Sequence, residues 1–297
     1  MNKLLILIST CFICLIQNLS ANTANIQTVE KPKIVIGYYG RPNSSTLGIL
    51  GENNIDDLIK KMRDKADYFS SELNNNVDIK LAFHLIHSLA TKDPGRRNDY
   101  LLGMQESSVM KYINRAKKEG FLVFIDVQLG TKTPYEALLP ILKYLKYDNV
   151  HFAIDPEFKI PKHRRYPPGK YVGHIFAQDL NKAQKLISDY MLENNIEGKR
   201  DLIVHMFHKR MLREKQDVKK FENINLVYNI DGHGKPAIKI SIYNNLYNQE
   251  QEKIAYSGFK IFNNSDSKPL MTPKQILGLE PVNGRIIQTK PYYINYH

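Results

Sequence analysis

Cysteine is almost absent from this sequence, and its two cysteines, Cys11 and Cys14, lie near the start. Beyond residue 14 the chain can therefore form no disulfide, no thiol nucleophile and no cysteine-ligated zinc or iron–sulfur site. It also lacks a glycine-rich dinucleotide fingerprint and a P-loop, so we expect no bound cofactor. A chain of this length without cross-links must be stabilised by its apolar core.

Long apolar runs are scarce as well, apart from one that follows Lys3 and covers residues 4–16. That run is shorter than the about 20 residues of a membrane-spanning helix, and a stretch of polar and small residues follows it. The arrangement is typical of a secretory signal peptide, which we place at residues 1–24. We therefore expect an exported protein, periplasmic or extracellular, whose mature part is residues 25–297. Membrane contact is expected only through the signal segment, if it stays uncleaved.

Acidic residues are outnumbered by basic ones, 30 Asp and Glu against 42 Lys and Arg, which gives a formal net charge of +12. Such a surface favours anionic partners such as acidic glycans, anionic lipid surfaces or nucleic acids. The basic residues are scattered in pairs such as Lys60-Lys61 and Lys117-Lys118, which also fits a solvated surface that keeps the protein soluble. The scattered basic residues and the expected export both argue against a nucleic-acid partner. We therefore expect a carbohydrate or other polyanionic substrate.

From residue 33 onward, apolar strand-like segments alternate with segments of helical composition, as in a parallel sheet covered on its faces. Eight such units in this length predict a single (β/α)₈ TIM-type barrel of the α/β class, and no break in composition marks a second domain. The predicted strands are 33–40, 78–87, 120–128, 149–158, 201–207, 223–231, 256–262 and 285–288. The predicted helices are 55–73, 106–118, 134–145, 179–193, 209–221 and 246–254, with a short helix after Thr272-Pro273.

The C-terminal ends of the predicted strands are polar, and this is the end where barrel enzymes carry their active sites. Period-two alternation places Asp126 with Gln128, and Asp155 with Glu157, on shared faces of their strands. Burying several carboxylates together is costly unless they are paired or bound to a ligand. These strand ends are therefore the strongest functional signal in the sequence. The other candidate site residues at strand ends are Tyr38, Tyr39, Arg41, His84, His205, Asp231 and Lys260.

Two carboxyl groups beside a sugar-sized cleft are the apparatus of glycoside hydrolysis, in which one protonates the leaving oxygen and the other attacks or activates water. We assign Glu157 as the general acid, with its pKa raised by Asp155 and the surrounding sheet. Asp126 is the expected nucleophile or base, and Asp231 is its alternate. The expected substrate-binding residues are Gln128, His205 and Lys260, which orient the substrate, Tyr38 and Tyr39, which stack on a sugar ring, and Arg41 and His84.

Structural explanations remain open for several of these residues. Asp155 precedes Pro156 and could shape the end of its strand, and Glu157 could pair with Arg164 or Arg165 in the loop that follows. His205 could be a core histidine whose ring nitrogens are satisfied.

The mature chain resembles a family of uncharacterised exported bacterial proteins, often lipoproteins, that are similar to glycoside-hydrolase barrels. The matching stretches are YYGRPNSSTLGILGE (38–52), FIDVQLG (124–130), VHFAIDPEF (150–158), the Pro168-Gly169 loop, VHMF (204–207), DGHGK (231–235) and GFKIF (258–262). The resemblance covers nearly all of the chain after about residue 33 and implies the barrel fold and a cleft at its open end.

A second, shorter resemblance concerns Asp155 and Glu157. It is to the end of the DxxDxDxE strand of family-18 chitinases, where the final Glu is the acid, although Val150 and Ala153 stand where that pattern has its first two aspartates.

Two alternatives to a glycosidase remain. Metal-dependent hydrolysis, for example of a phosphodiester, would place Mg²⁺, Mn²⁺ or Zn²⁺ among histidines and carboxylates at the strand ends. The sequence has no HExxH or other tight ligand spacing, so no metal ligand is assigned. A barrel that binds glycans without cleaving them is the non-enzymatic alternative. The candidates for metal ligation are His84, Asp126, Asp155, Glu157, His205 and Asp231.

Overall fold

The computed structural model describes residues 31–163 and 166–297. The predicted signal peptide lies outside the described residues, and so do Arg164 and Arg165. Within the described part, eight parallel strands form a closed barrel in which each strand pairs with the next along the chain and the eighth also pairs with the first. The predicted (β/α)₈ TIM-type barrel of the α/β class is confirmed.

The strands and helices alternate along the chain. The barrel strands are β1 (Lys33–Gly40), β2 (Asp78–Ala90), β3 (Leu122–Gly130), β4 (Val150–Lys159), β5 (Arg200–Met206), β6 (Ile224–Ile230), β7 (Tyr256–Ile261) and β8 (Tyr293–Tyr296). The helices are α1 (Ile49–Glu52), α2 (Ile55–Glu72), α3 (Glu106–Glu119), α4 (Pro134–Leu138), α5 (Ala177–Glu193), α6 (Pro236–Leu246), α7 (Gln249–Glu252) and α8 (Pro273–Ile276). None of the helices in the described part of the chain combines the length and the hydrophobicity that crossing a membrane requires.

Local sequence signals set several helix ends. The Asn54 side chain accepts hydrogen bonds from the backbone N–H groups of Asp56 and Asp57 and so caps α2. Thr133 begins α4 with a capping box, and Pro134 occupies the first helical position, where its missing N–H is not needed. Gly120 ends α3 in the left-handed conformation, which costs glycine little.

Side chains along each strand alternate between the helical layer and the barrel interior. The outward faces pack on the helices in one large apolar core. The interior is layered, as β5 illustrates with buried Asp201, Ile203 and His205 at successive inward positions. The middle layer is an apolar belt that separates polar groups at the two ends of the barrel. The belt consists of Val35, Ala82, Phe124, Ala153, Ile203, Val227 and Tyr293.

Below the belt, at the N-terminal ends of the strands, buried Asp201 is the centre of a hydrogen-bonded group. Asn225 and Tyr292 donate to its carboxylate at 2.9 Å each, and its backbone N–H donates to Nδ1 of His151 at 2.8 Å. These bonds pair Asp201 with groups of the barrel itself. Their role is therefore structural.

Three predicted elements are wrong. In place of a helix over 209–221 the chain forms 3₁₀ turns. Leu212–Arg213 pairs there as a two-residue strand with Ile175–Phe176, which holds this segment in extended form. Helix 246–254 is replaced by α6 and the short α7, since Pro236 starts a helix whose buried positions follow helical spacing. Residues 285–288 form no strand, and only Ile287 among them is buried. The barrel is closed instead by β8, whose residues are all buried.

Candidate functional site

The C-terminal ends of the strands surround a cavity of about 440 Å³, which we call the mouth cavity. Carboxylates from two strand ends face it, and aromatic rings make up much of its wall. This placement follows from the barrel, because the C-terminal ends of all eight parallel strands meet at one face. The residues lining it include Tyr39, Gln128, Asp155, Glu157, Phe158, Phe207, Asp231, Lys260, Phe262 and His297.

Asp155 and Glu157 both reach the mouth cavity from the end of β4. The pairing of β3 with β4 is irregular between Asp155 and Lys159, where Pro156 has no N–H to donate. The Asp155 carboxylate accepts a hydrogen bond of 3.0 Å from the backbone N–H of Glu157, which fixes this end of the strand. Asp155 therefore shapes its strand end and also contributes to the cavity wall.

The pKa values of these two carboxyl groups are raised. Burial raises the pKa of Asp155 to about 8 against the opposing charge of His205, and the charges of Asp126, Glu157 and Asp231 add to the rise. Burial also raises the pKa of Glu157, and the charge of Asp231 adds to the effect. Asp155 and Glu157 also interact with each other, since the charge of Glu157 contributes to the raised pKa of Asp155. Both groups hold a proton more readily than ordinary carboxyls do.

Asp231 follows β6 and lies beside Lys260 of β7. The Lys260 ammonium is 3.6 Å from the Asp231 carboxylate and 4.0 Å from the centre of the Tyr39 ring. Burial opposes ionisation of Asp231, but the hydrogen bond from His205 and the charge of Lys260 prevail and lower its pKa. The cavity therefore combines carboxyl groups of raised and of lowered pKa.

Beneath the mouth cavity, His84, Asp126 and His205 form a buried cluster with no solvent exposure. One Asp126 oxygen is 3.3 Å from Nε2 of His84 and 3.4 Å from Nε2 of His205. The other ring nitrogens point outward from the cluster: Nδ1 of His84 is 2.8 Å from the Tyr293 hydroxyl, and Nδ1 of His205 is 3.0 Å from Asp231. The cluster is thus joined to the mouth cavity through Asp231.

The two histidines differ in charge. Burial lowers the pKa of His84 to about 4 despite the neighbouring Asp126, so its ring is neutral. For His205, burial opposes protonation, but the charge of Asp126 and the hydrogen bond to Asp231 raise the pKa to about 10. The two imidazoles also lower the pKa of Asp126 well below its usual range, in spite of its burial.

Glycine on β1 makes room for one partner of this cluster. A Cβ atom on Gly37 would lie 2.0 Å from the Tyr293 hydroxyl oxygen, so only glycine admits the ring at this place. The ring is fully buried and packs on Phe124 with ring centres 5.2 Å apart. Gly37 therefore positions the hydroxyl group that binds His84.

An ion pair behind the cavity ties two of its loops together. The buried Lys239 ammonium lies 2.8 Å from the carboxylate of Asp266 and donates to the backbone carbonyls of Gly232 and Lys260. Asp266 in turn accepts from the backbone N–H groups of Gly234 and Phe262. This network fixes the chain on both sides of the pair formed by Asp231 and Lys260.

Not every predicted site residue reaches the mouth cavity. Tyr38 faces the helical layer, where its hydroxyl donates to the carbonyl of Lys61, so it does not offer a stacking surface as predicted. Arg41 donates to the backbone carbonyls of four residues instead of facing a substrate. Those residues are Ile86, His87, Leu102 and Gly103, in β2 and the short strand antiparallel to it. Side chains alternate along a strand, so Tyr38 faces outward because its neighbour Tyr39 faces inward.

Among the remaining predicted residues, Tyr39, Gln128 and Lys260 line the mouth cavity with the three carboxylates. His84, Asp126 and His205 lie below its floor. Gln128 also has a structural task, since its side-chain oxygen accepts the backbone N–H of Ala90 at 2.7 Å.

Apart from Tyr39, the aromatic residues of the cavity wall were not predicted from the sequence. Phe207 and Phe262 line it, and each stands two positions after a predicted site residue, His205 or Lys260. That spacing continues the inward face of the strand and could have found both. His297 also lines the cavity, stacked between Tyr39 and Phe262. It follows β8, which the sequence analysis placed elsewhere.

No family model matches this chain, and no match is found among curated proteins. The functional conclusion therefore depends on the geometry of the site.

Proposed function

We propose that this protein is a hydrolase that cleaves a carbohydrate polymer by acid–base catalysis between carboxyl groups of the mouth cavity. The barrel fold is compatible with a hydrolase. The observation that carries the proposal is the convergence of Asp155, Glu157 and Asp231 on one cavity with an aromatic wall. A cavity of about 440 Å³ is of the size that small ligands or the end of a polymer occupy.

Glu157 is the proposed general acid. Its side chain is only partly buried, and its raised pKa means that it holds a proton more readily than an ordinary glutamate does. Such a group can protonate the oxygen of a leaving sugar. Asp155 supports this role because its carboxylate accepts the backbone N–H of Glu157 and so fixes the end of β4 on which Glu157 stands.

Asp231 is the proposed partner carboxylate that attacks the sugar or activates water. It lines the cavity and lies beside the Lys260 ammonium, which favours its ionised form. Asp126, the first choice from sequence, has no exposed surface and lies below the cavity floor. Asp231 therefore takes the role of nucleophile or base that was first assigned to Asp126.

The aromatic wall supports a sugar substrate rather than a small acid. Sugar rings present apolar faces that stack on aromatic rings, and Tyr39, Phe207 and Phe262 offer such rings beside the carboxylates. Lys260 would contact hydroxyl or anionic groups of the substrate.

The test is the release of reducing ends from a broad panel of bacterial and host glycans. The proteins compared are the wild type, Glu157→Gln, Asp231→Asn and the control Glu193→Gln, which changes an exposed glutamate of α5. We expect each cavity variant to lose about 100-fold or more of the rate, and the control to lose none. Aryl glycosides with good leaving groups should restore turnover to Glu157→Gln alone, because they need no protonation.

Two outcomes would reject the assignment. Cleavage that survives both cavity substitutions would place the chemistry elsewhere. Binding of a glycan, measured by calorimetry, without any release of reducing ends would mean that the barrel is a glycan-binding protein.

A further inference from the structure

The buried cluster has polar atoms that the protein does not satisfy. Within the described residues, Nε2 of His84, Nε2 of His205 and both carboxylate oxygens of Asp126 have no hydrogen-bond partner of acceptable geometry. All three side chains are completely buried. A buried polar atom without a partner destabilises the fold, so several in one place point to a ligand between them.

The spacing of these atoms fits a metal ion. Nε2 of His84 and Nε2 of His205 lie 3.3 and 3.4 Å from the same Asp126 oxygen, and one ligand atom from each residue falls within 4.8 Å of the others. Charge-assisted hydrogen bonds are shorter, about 2.7–2.9 Å. A tetrahedral ion with bonds of about 2.0–2.1 Å separates its ligand atoms by about 3.3–3.4 Å.

The groups that bond the Nδ1 atoms of the two histidines also support a metal site. Metal-binding histidines usually bond their second ring nitrogen to a carboxylate, carbonyl or hydroxyl group, which fixes the ring and its tautomer. Here Nδ1 of His205 is held by Asp231 and Nδ1 of His84 by the Tyr293 hydroxyl. Each Nε2 therefore faces the centre of the cluster.

We propose that His84, Asp126 and His205 bind one divalent transition-metal ion, with Zn²⁺ as the preferred ion, below the floor of the mouth cavity. Two imidazoles and one carboxylate form a donor set that zinc accepts, with room for a further ligand. The Tyr39 ring packs against both histidines, with ring centres 4.9 and 5.6 Å away, and also lines the cavity. One aromatic ring thus stands between the ion and the cavity.

The bound ion would hold His205 in the orientation that bonds Asp231. The site is proposed independently of the glycosidase assignment, and its test uses no substrate. The competing explanation is an imidazolium at His205 that bridges Asp126 and Asp231 with no metal.

The test measures metal binding by the purified full chain. After removal of metals with a chelator, Zn²⁺ uptake is followed by equilibrium dialysis with elemental analysis for the wild type, His84→Gln, His205→Gln and His151→Gln. His151 is the matched control, a buried histidine below the apolar belt that bonds Asp201 instead. We expect one Zn²⁺ per wild-type chain at micromolar concentration and about 100-fold weaker binding by the two cluster variants. The control should bind like the wild type.

A spectroscopic readout covers the case in which the cluster variants do not fold. Co²⁺ added to the metal-free wild type should give the visible absorption of a four- or five-coordinate site with nitrogen ligands, and one equivalent of Zn²⁺ should abolish it. Absence of saturable uptake by the wild type would overturn the proposal in favour of the bridging imidazolium. Equal loss of binding in His151→Gln would also overturn it.

Discussion

Replacing Gly37 by alanine tests the interior packing that positions the buried cluster. The new Cβ would lie 2.0 Å from the Tyr293 hydroxyl oxygen, 2.7 Å from Cζ and 2.9 Å from Cε2. The ring cannot turn away cheaply because it is fully buried against Phe124 and His84. Ring or strand must therefore shift, and the 2.8 Å contact between the hydroxyl and His84 is lost.

The expected destabilisation has two parts. Overpacking a buried site costs about 1–3 kcal/mol, and leaving a buried nitrogen of His84 unpaired costs about 1–3 kcal/mol. Together they lower the free energy of unfolding by about 4 kcal/mol, which lowers Tm by roughly 8–16 °C in a domain of this size. Urea unfolding and thermal circular dichroism measure both quantities.

Gly103→Ala is the control, since a Cβ at this exposed strand position meets nothing within 4 Å. Its free energy of unfolding should change by about 0.5 kcal/mol or less. Combining Gly37→Ala with Tyr293→Phe should recover part of the loss, because the closest contact disappears while the one at 2.7 Å remains. If Gly37→Ala unfolds within about 1 kcal/mol of the wild type, the Tyr293 ring does not occupy the place described.

Three further predictions concern polar groups near the site. Tyr293→Phe alone should cost about 1–3 kcal/mol in urea unfolding, because His84 loses its hydroxyl partner while the ring volume stays the same; an unchanged stability would argue against that bond. Lys239→Met should cost about 3–5 kcal/mol by leaving the buried Asp266 carboxylate without its cation. Adding Asp266→Asn should return part of this loss, and strictly additive effects would contradict the pairing. The pKa of Asp155, raised to about 8 in the folded protein, predicts that the folded state binds the extra proton. Stability relative to Asp155→Asn should therefore fall as pH rises from about 4 to about 8. Urea unfolding of both proteins in metal-free buffer measures this difference, and a difference that stays flat with pH would show that the pKa is not raised.

The barrel could be predicted from the sequence because seven of its strands are apolar segments between helical ones. The eighth was misplaced. Ile286 and Ile287 suggested a strand at 285–288, yet β8 is the more polar segment Tyr293–Tyr296, whose tyrosines and asparagine face a crowded interior. Hydrophobicity alone does not distinguish such a segment from a loop. Only its pairing with both β1 and β7 does.

The candidate site could be predicted in outline because polar residues at strand ends must converge in a closed barrel. The depth at which each residue lies in the barrel could not be predicted. Asp126 and Asp155 come from neighbouring strands and look alike in sequence, but stagger between the strands puts Asp126 below the floor and Asp155 in the wall. Arg41 was assigned to substrate because it stands at the C-terminal end of β1. Its actual partners are backbone carbonyl groups, which the pattern of side chains in the sequence does not reveal.

The apolar belt across the middle of the barrel also sets how strongly the groups at its two ends interact. Asp126 and His205 lie above it and Asp201 lies below it, and the layer between them has low polarisability and no water to screen their charges. The two ends therefore interact more strongly through the belt than they would through the same thickness of water. A polar residue introduced at Ala153 or Val227 would be buried within this layer and would change that interaction.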